Sequence, residues 1–180
     1  MSKDIVTTDT PQNGSPDISQ HSLSVYVNNT PGVLMRITQV FARRGFNIDS
    51  LVVSEGRDER FSRMTIGITG SSNGLEQIIK QVTKLIDVIH CSEHKAENSV
   101  VKELLLIKFI ADSSERRTEA LQIIDHFGGK TVDLTPKSMI AMITGDTPKI
   151  DSAIRLLSDF DIIETVRTGK VVMVRGGSTT

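Results

Sequence analysis

The sequence predicts an α+β protein: two ferredoxin-like βαββαβ units in tandem, preceded by a polar tail. Two observations predict it. Period-two strand patterns and 3.6-residue helix patterns follow one another in the order β-α-β-β-α-β, and the same order then runs a second time. A short polar stretch, 96–100, separates the two runs.

Residues 1–20 carry Pro11, Gly14 and Pro16 among Ser, Thr, Asp and Asn, with too few hydrophobes to offset the entropy of ordering. They are expected to be a disordered tail, with structure starting at His21. Leu23, Val25 and Val27 alternate with Ser22, Ser24 and Tyr26, a half-buried strand. Val33, Leu34, Ile37, Val40 and Phe41 recur at helical spacing, and Gly45 is placed to end that helix, with Arg43 and Arg44 where the dipole favours cations. Strands are expected at 47–54 and 63–69 around the polar turn 55–60. Leu75, Ile78, Ile79, Val82, Leu85 and Ile86 form the stripe of a second helix, and 87–94 a fourth strand, closing a unit over 21–95. The second unit, 101–176, repeats the plan. It has a strand at 101–111 and a helix through Ala120, Ile123, Ile124 and Phe127 that stops at Gly128-Gly129. Strands follow at 131–135 and 138–144, then a helix from Thr147-Pro148 through Ile150, Ala153, Ile154 and Leu157. β-rich segments at 162–168 and 170–174 close it, with 177–180 as a short tail.

Composition narrows the function. Of 180 residues, 21 are Lys or Arg and 22 are Asp or Glu, a formal net charge of −1 that offers no broad basic field to a nucleic acid. Aromatic residues are 4% with no Trp, so stacking platforms for single-stranded RNA are scarce. Cys91 is the single cysteine, which excludes an intramolecular disulfide and suits a reducing compartment. No apolar run reaches the roughly 20 residues of a membrane span, and the N-terminus lacks the apolar core of a secretory signal. A soluble, cytoplasmic protein is expected.

The stretch that carries chemistry is Asn28-Asn29-Thr30-Pro31-Gly32-Val33-Leu34. Thr30 reads as an N-cap and Pro31 as the first helical residue. Gly32 lets a ligand approach the amides of Gly32, Val33 and Leu34, which together with the helix dipole suit a carboxylate. Asn29 offers a side-chain amide beside them. The competing reading is an ordinary capped helix start, which Thr147-Pro148 resembles without the glycine. Asn47, at the start of the next strand, is the second candidate. A helix from Pro31 to Arg44 is about 21 Å long, so Asn47 and Gly32 lie at opposite ends of it. They share one small ligand only if two subunits pair along the second strand, an edge strand in this order.

Elsewhere the signals are weak. His90 and His94 on a strand stand about 13 Å apart, too far to share one metal ion, so no metal site is expected. The Arg57–Arg60 cluster and Glu115-Arg116-Arg117 read as solvated surface. There is no GxSxG, HExxH, Walker loop or paired CxxC, and no catalytic residue is assigned.

Three stretches carry a family resemblance: Asn29-x-Pro31-Gly32-Val33-Leu34-x-Arg36, Phe41-x-x-Arg44-Gly45-Phe46-Asn47-Ile48-x-Ser50-Leu51, and Ser62-Arg63-Met64-Thr65-Ile66. In this order they resemble the ACT domain that opens the small, regulatory subunits of acetolactate synthase. Lys130-x-Val132-Asp133, Thr144-Gly145, Arg167-Thr168-Gly169 and Arg175-Gly176 resemble the family's C-terminal domain. Met142 stands where many relatives have an acidic residue. The resemblance implies a non-catalytic chain that binds and activates a separate catalytic subunit carrying thiamine diphosphate, Mg and FAD, with no cofactor of its own. It also implies feedback inhibition by a branched-chain amino acid, valine foremost, at an ACT–ACT interface of a homodimer. The implied effector residues are Asn29, Gly32, Val33, Leu34, Asn47 and Ile48, with the aliphatic side chain of the effector against Val33, Leu34 and Ile48. A stand-alone ACT-type sensor for another enzyme is the alternative.

Overall fold

The computed structural model describes residues 18–94 and 97–177. Most of the expected tail, 1–17, and residues 178–180 lie outside the described residues. Strand β1 (Ile18–Asn28) starts three residues before the expected His21, because Ile18, Ser19 and Gln20 still pair with Ser71, Gly70 and Thr69. Backbone pairing needs no apolar side chain, so polarity hid that start. Helix α1 (Val33–Arg43), β2 (Ile48–Glu55), β3 (Phe61–Ser71), α2 (Ser72–Val82) and β4 (Val88–Glu93) complete the first unit. Its antiparallel sheet runs β2-β3-β1-β4, which leaves β2 on an edge. Leu23, Val25, Val27, Ile66 and Ile68 of the two central strands are buried against Val33, Ile37 and Phe41 of α1 and Leu75, Ile78 and Val82 of α2.

Helix α1 ends as Gly45 suggests. Gly45 has φ +71°, its N–H bonds to Ala42 O, and the Phe46 N–H reaches back to Phe41 O. Phe46 then packs on two glycines, since a Cβ on Gly70 or Gly74 would stand 2.4 or 2.5 Å from its ring. Helix α2 stops at Val82, so Leu85 reaches the core from a turn while Ile86 is 93% exposed and off the expected stripe.

The second unit consists of β5 (Ser99–Ile110), α3 (Ser114–His126), β6 (Lys130–Leu134), β7 (Ser138–Gly145), α4 (Thr147–Leu157), β8 (Ile162–Arg167) and β9 (Val171–Val174). Ser99 and Val100, expected in the connecting stretch, already belong to β5. The order β6-β7-β5-β8 repeats that of the first sheet. The 12-residue β5 outruns β8, and β9 pairs with its first four residues, Ser99–Lys102, as a strand beyond the six-element plan. Leu105, Ile107 and Phe109 of β5 form a second core with Ala120 and Ile124 of α3 and Ile150, Ala153 and Leu157 of α4. The N-cap of α4 is Asp146, whose carboxylate accepts from the Lys149 N–H, and not Thr147. No helix among the described residues is long and apolar enough to cross a membrane.

Candidate functional site

The start of α1 differs from the expected cap. Gly32, not Thr30, is the N-cap, with φ +85° and ψ −5°, and no side chain caps the helix. The Val33 N–H bonds to Thr30 O at 3.4 Å, so Thr30-Pro31-Gly32-Val33 is a type II turn: Pro31 holds the second position and Gly32 the third, which requires positive φ. The turn occupies the Val33 amide. The first intrahelical bond runs from the Arg36 N–H to Gly32 O. Among the described residues, no group accepts from the N–H groups of Gly32, Leu34 or Met35. The free donor set therefore keeps Gly32 and Leu34, loses Val33 to the turn and gains Met35.

The side chains around this turn are placed by Asp87, in the connection between α2 and β4. Its backbone oxygen accepts from the Asn28 N–H, and its carboxylate accepts from Thr30 Oγ1 at 3.5 Å and from Arg36 Nε at 2.8 Å. Arg36 lies four residues beyond Gly32, and helical side chains lean toward the N-terminus, so its guanidinium returns over the first turn. A Cβ on Gly32 would stand 3.0 Å from Arg36 Nη1. Asn29 Nδ2 donates to Glu59 O at 2.9 Å and to Glu55 Oε1 at 3.3 Å, and no described residue donates to its Oδ1. The turn thus presents donors from the helix and an acceptor from Asn29, a polarity that matches a zwitterion.

Asn47 and Ile48 sit at the other end of α1, which spans 11 residues and so about 16 Å. The structure does not bring them to Gly32 within one chain. Asn47 Nδ2 donates to Asp49 Oδ1 at 2.9 Å, Asp49 Oδ2 accepts from Thr69 Oγ1 at 2.7 Å, and no described residue donates to Asn47 Oδ1. The expected apolar wall needs revision. Val33 is 3% exposed and belongs to the core, and Ile48 packs against that core, whereas Leu34 and Met35 are 40% and 64% exposed.

The other polar clusters read differently. Cys91 is 8% exposed, and burial pushes its thiol up to about 11, so it stays a neutral thiol at physiological pH. Burial, and then the neighbouring Arg63 and His90, push His94 below its ordinary value. Among the described residues no group of three His, Cys, Asp or Glu is placed to hold a metal ion. Two buried polar centres were not legible in sequence. His21 is bound to Glu93 at 2.8 Å, and Glu103, 3% exposed, accepts from both Thr147 and Arg167. Arg167 also bonds to Asp151 at 2.8 Å, and these contacts hold its guanidinium more firmly protonated than usual. Beside them a cavity of about 300 Å³ opens between the units, walled by Asp49, Ser50 and Gly67 on one side and Glu103, Arg167 and Lys170 on the other. Gly169 closes onto Ser50, where a Cβ would approach to 2.6 Å.

Residues 23–90 match a family described as AHAS small subunit-like ACT domain, and residues 102–176 one described as small subunit of acetolactate synthase. A probable acetolactate synthase small subunit of Methanothermobacter thermautotrophicus is 42% identical over 159 residues, 88% of this chain and 95% of the relative. The chain belongs to the acetolactate synthase small-subunit family. The small subunit of Mycobacterium leprae is 41% identical over 87% of this chain and 92% of its own. The crystal structure of the small subunit from Thermotoga maritima has a TM-score of 0.80 at 37% identity, over 89% of this chain and 99% of that one. In this family frame the first match falls on β1–β4 and the second on β5–β9.

Proposed function

We propose that this chain is a non-catalytic regulatory subunit of acetolactate synthase. It binds the catalytic subunit, raises its activity and makes it sensitive to a branched-chain amino acid, valine foremost. Near-full-length similarity to acetolactate synthase small subunits carries the assignment. The polarity of the two ends of α1 supports the effector site. At one end, the helix amides of Gly32 and Leu34 suit a carboxylate and Asn29 Oδ1 suits an ammonium. At the other, Asn47 Oδ1 supplies a second acceptor. Because α1 separates them by about 16 Å, one ligand takes both only when two chains pair along the open β2 edge. The aliphatic group then lies against Leu34 and Met35, two apolar side chains of the first turn of α1 that are left outside the core.

A ligand held by two chains favours whichever pairing of those chains completes its site. It inhibits only as far as its affinity differs between the pairings that activate the enzyme more and less, an effect of about 1–3 kcal/mol in typical couplings. The test is reconstitution with the catalytic subunit, following acetolactate formation against valine, leucine and isoleucine. Activation by wild type, with inhibition lost and activation kept in Gly32→Asp, is the expected result. Undiminished inhibition of Gly32→Asp contradicts the site, and absence of any activation contradicts the function.

A further inference from the structure

We infer that Arg36, held in place by Asp87, is the ionic partner of the effector's carboxylate. This rests on the effector site proposed above and adds to it a cationic side chain whose Nη1 stands beside Gly32. Of the five N–H donors of the guanidinium, only Nε is engaged, by Asp87 Oδ2 at 2.8 Å. Among the described residues nothing accepts from Nη1 or Nη2, and Nη1 stands 3.0 Å from where a Gly32 Cβ would be. Asp87 is itself tied to the same turn through Thr30 Oγ1 and the Asn28 N–H, and only 15% of its side chain is exposed.

The arrangement has a chemical logic. A guanidinium pinned at Nε has its two outer nitrogens directed one way, and that fork matches the two oxygens of a carboxylate. Fixing the side chain beforehand lowers the ordering cost of binding. Asp87 cannot take over the ligand's role, because it meets the edge of Arg36 at Nε and leaves the outer nitrogens unsatisfied. The glycine then has a second function besides its positive φ: any side chain at 32 would push into the space that Arg36 and the carboxylate must share. The site selects an α-amino acid with a free carboxylate and disfavours its amide.

The test is calorimetry on the full-length protein with L-valine and L-valinamide. Wild type is expected to bind valine and to discriminate against valinamide. Arg36→Gln is expected to weaken valine about ten- to a hundredfold, the scale of a lost charge-assisted bond, while leaving valinamide unchanged, so the preference collapses. Arg36→Lys keeps the charge without the fork and regains part of the preference. Asp87→Asn loosens the guanidinium and weakens valine less than Arg36→Gln does. Far-UV dichroism and melting of each variant establish that it folds, and Arg36→Lys carries the test if Arg36→Gln does not. A wild-type preference for valine over valinamide in the Arg36 variants overturns the role of Arg36, and the effector site still stands if Asn47→Ala abolishes binding. Failure of wild-type protein to bind valine overturns the effector site and this inference with it.

Discussion

Replacing Gly32 by alanine separates the strain of the turn from its chemistry. At φ +85° an L side chain pays the left-handed penalty of about 1–2 kcal/mol. The new methyl group also meets Arg36 Nη1 at 3.0 Å, so the guanidinium must move and its bond to Asp87 weakens. That ion pair is partly open to water, 44% for Arg36 and 15% for Asp87, so its loss adds about 0–1 kcal/mol. Gly32→Ala should therefore destabilise the protein by about 1–3 kcal/mol in urea unfolding followed by dichroism. Gly128→Ala is the matched control, with φ +57° and nothing within 4 Å of the added carbon. It should cost about 1–2 kcal/mol and leave valine binding intact, whereas Gly32→Ala should lose binding. Wild-type stability in Gly32→Ala would refute the turn geometry. Equal valine affinity in the two variants would refute the claim that the space above Gly32 is used by the ligand.

Three further outcomes follow from the buried polar groups. Arg167→Met leaves the carboxylate of Glu103 buried without its cation and should cost about 3–5 kcal/mol, seen as a lower urea midpoint, with Glu103→Leu in the same chain restoring much of it. Cys91, raised to about 11 by burial, should react with a disulfide reagent at pH 8 only as fast as the protein unfolds, and fast labelling in native buffer would contradict its burial. His94 titrates below its ordinary 6.5 in the folded protein, so the unfolded chain binds the extra proton first. Stability should decline as pH falls from about 6.5 through the folded value, and His94→Gln should flatten that decline in pH-dependent melts.

The element order was legible because the central strands of both sheets carry apolar residues at period two and each helix buries one stripe. Leu23, Val25 and Val27 against Ile37 and Phe41 show the signal at its clearest. What escaped depended on pairing or on turn geometry. Ile18 to Gln20 join β1 through backbone bonds that polar residues make equally well. Pro31-Gly32 reads in sequence as a helix start because proline suits the first helical position, yet a Pro-Gly pair equally fits the centre of a type II turn, and φ +85° at Gly32 decides for the turn. Val33 and Ile48 show a second limit. Position near a site does not tell which way a side chain points, and both point inward. Arg36 was legible in part, since the i to i+4 spacing returns it over Gly32. Asp87, 51 residues away, was not, and neither was the partnership of Glu103 with Arg167 across 64 residues.

The central claim is that one effector site is built from the Gly32 end of one chain and the Asn47 end of another. Mixed dimers test it most directly. Gly32→Asp and Asn47→Ala chains, each alone, should bind no valine in calorimetry. When the two are unfolded together, refolded and mixed in equal amounts, half the dimers pair unlike chains, and each of these regains one intact site, about a quarter of the wild-type capacity. Recovery of that fraction is the predicted result. A mixture that binds nothing, while wild type carried through the same refolding binds fully, would contradict a site shared between two chains.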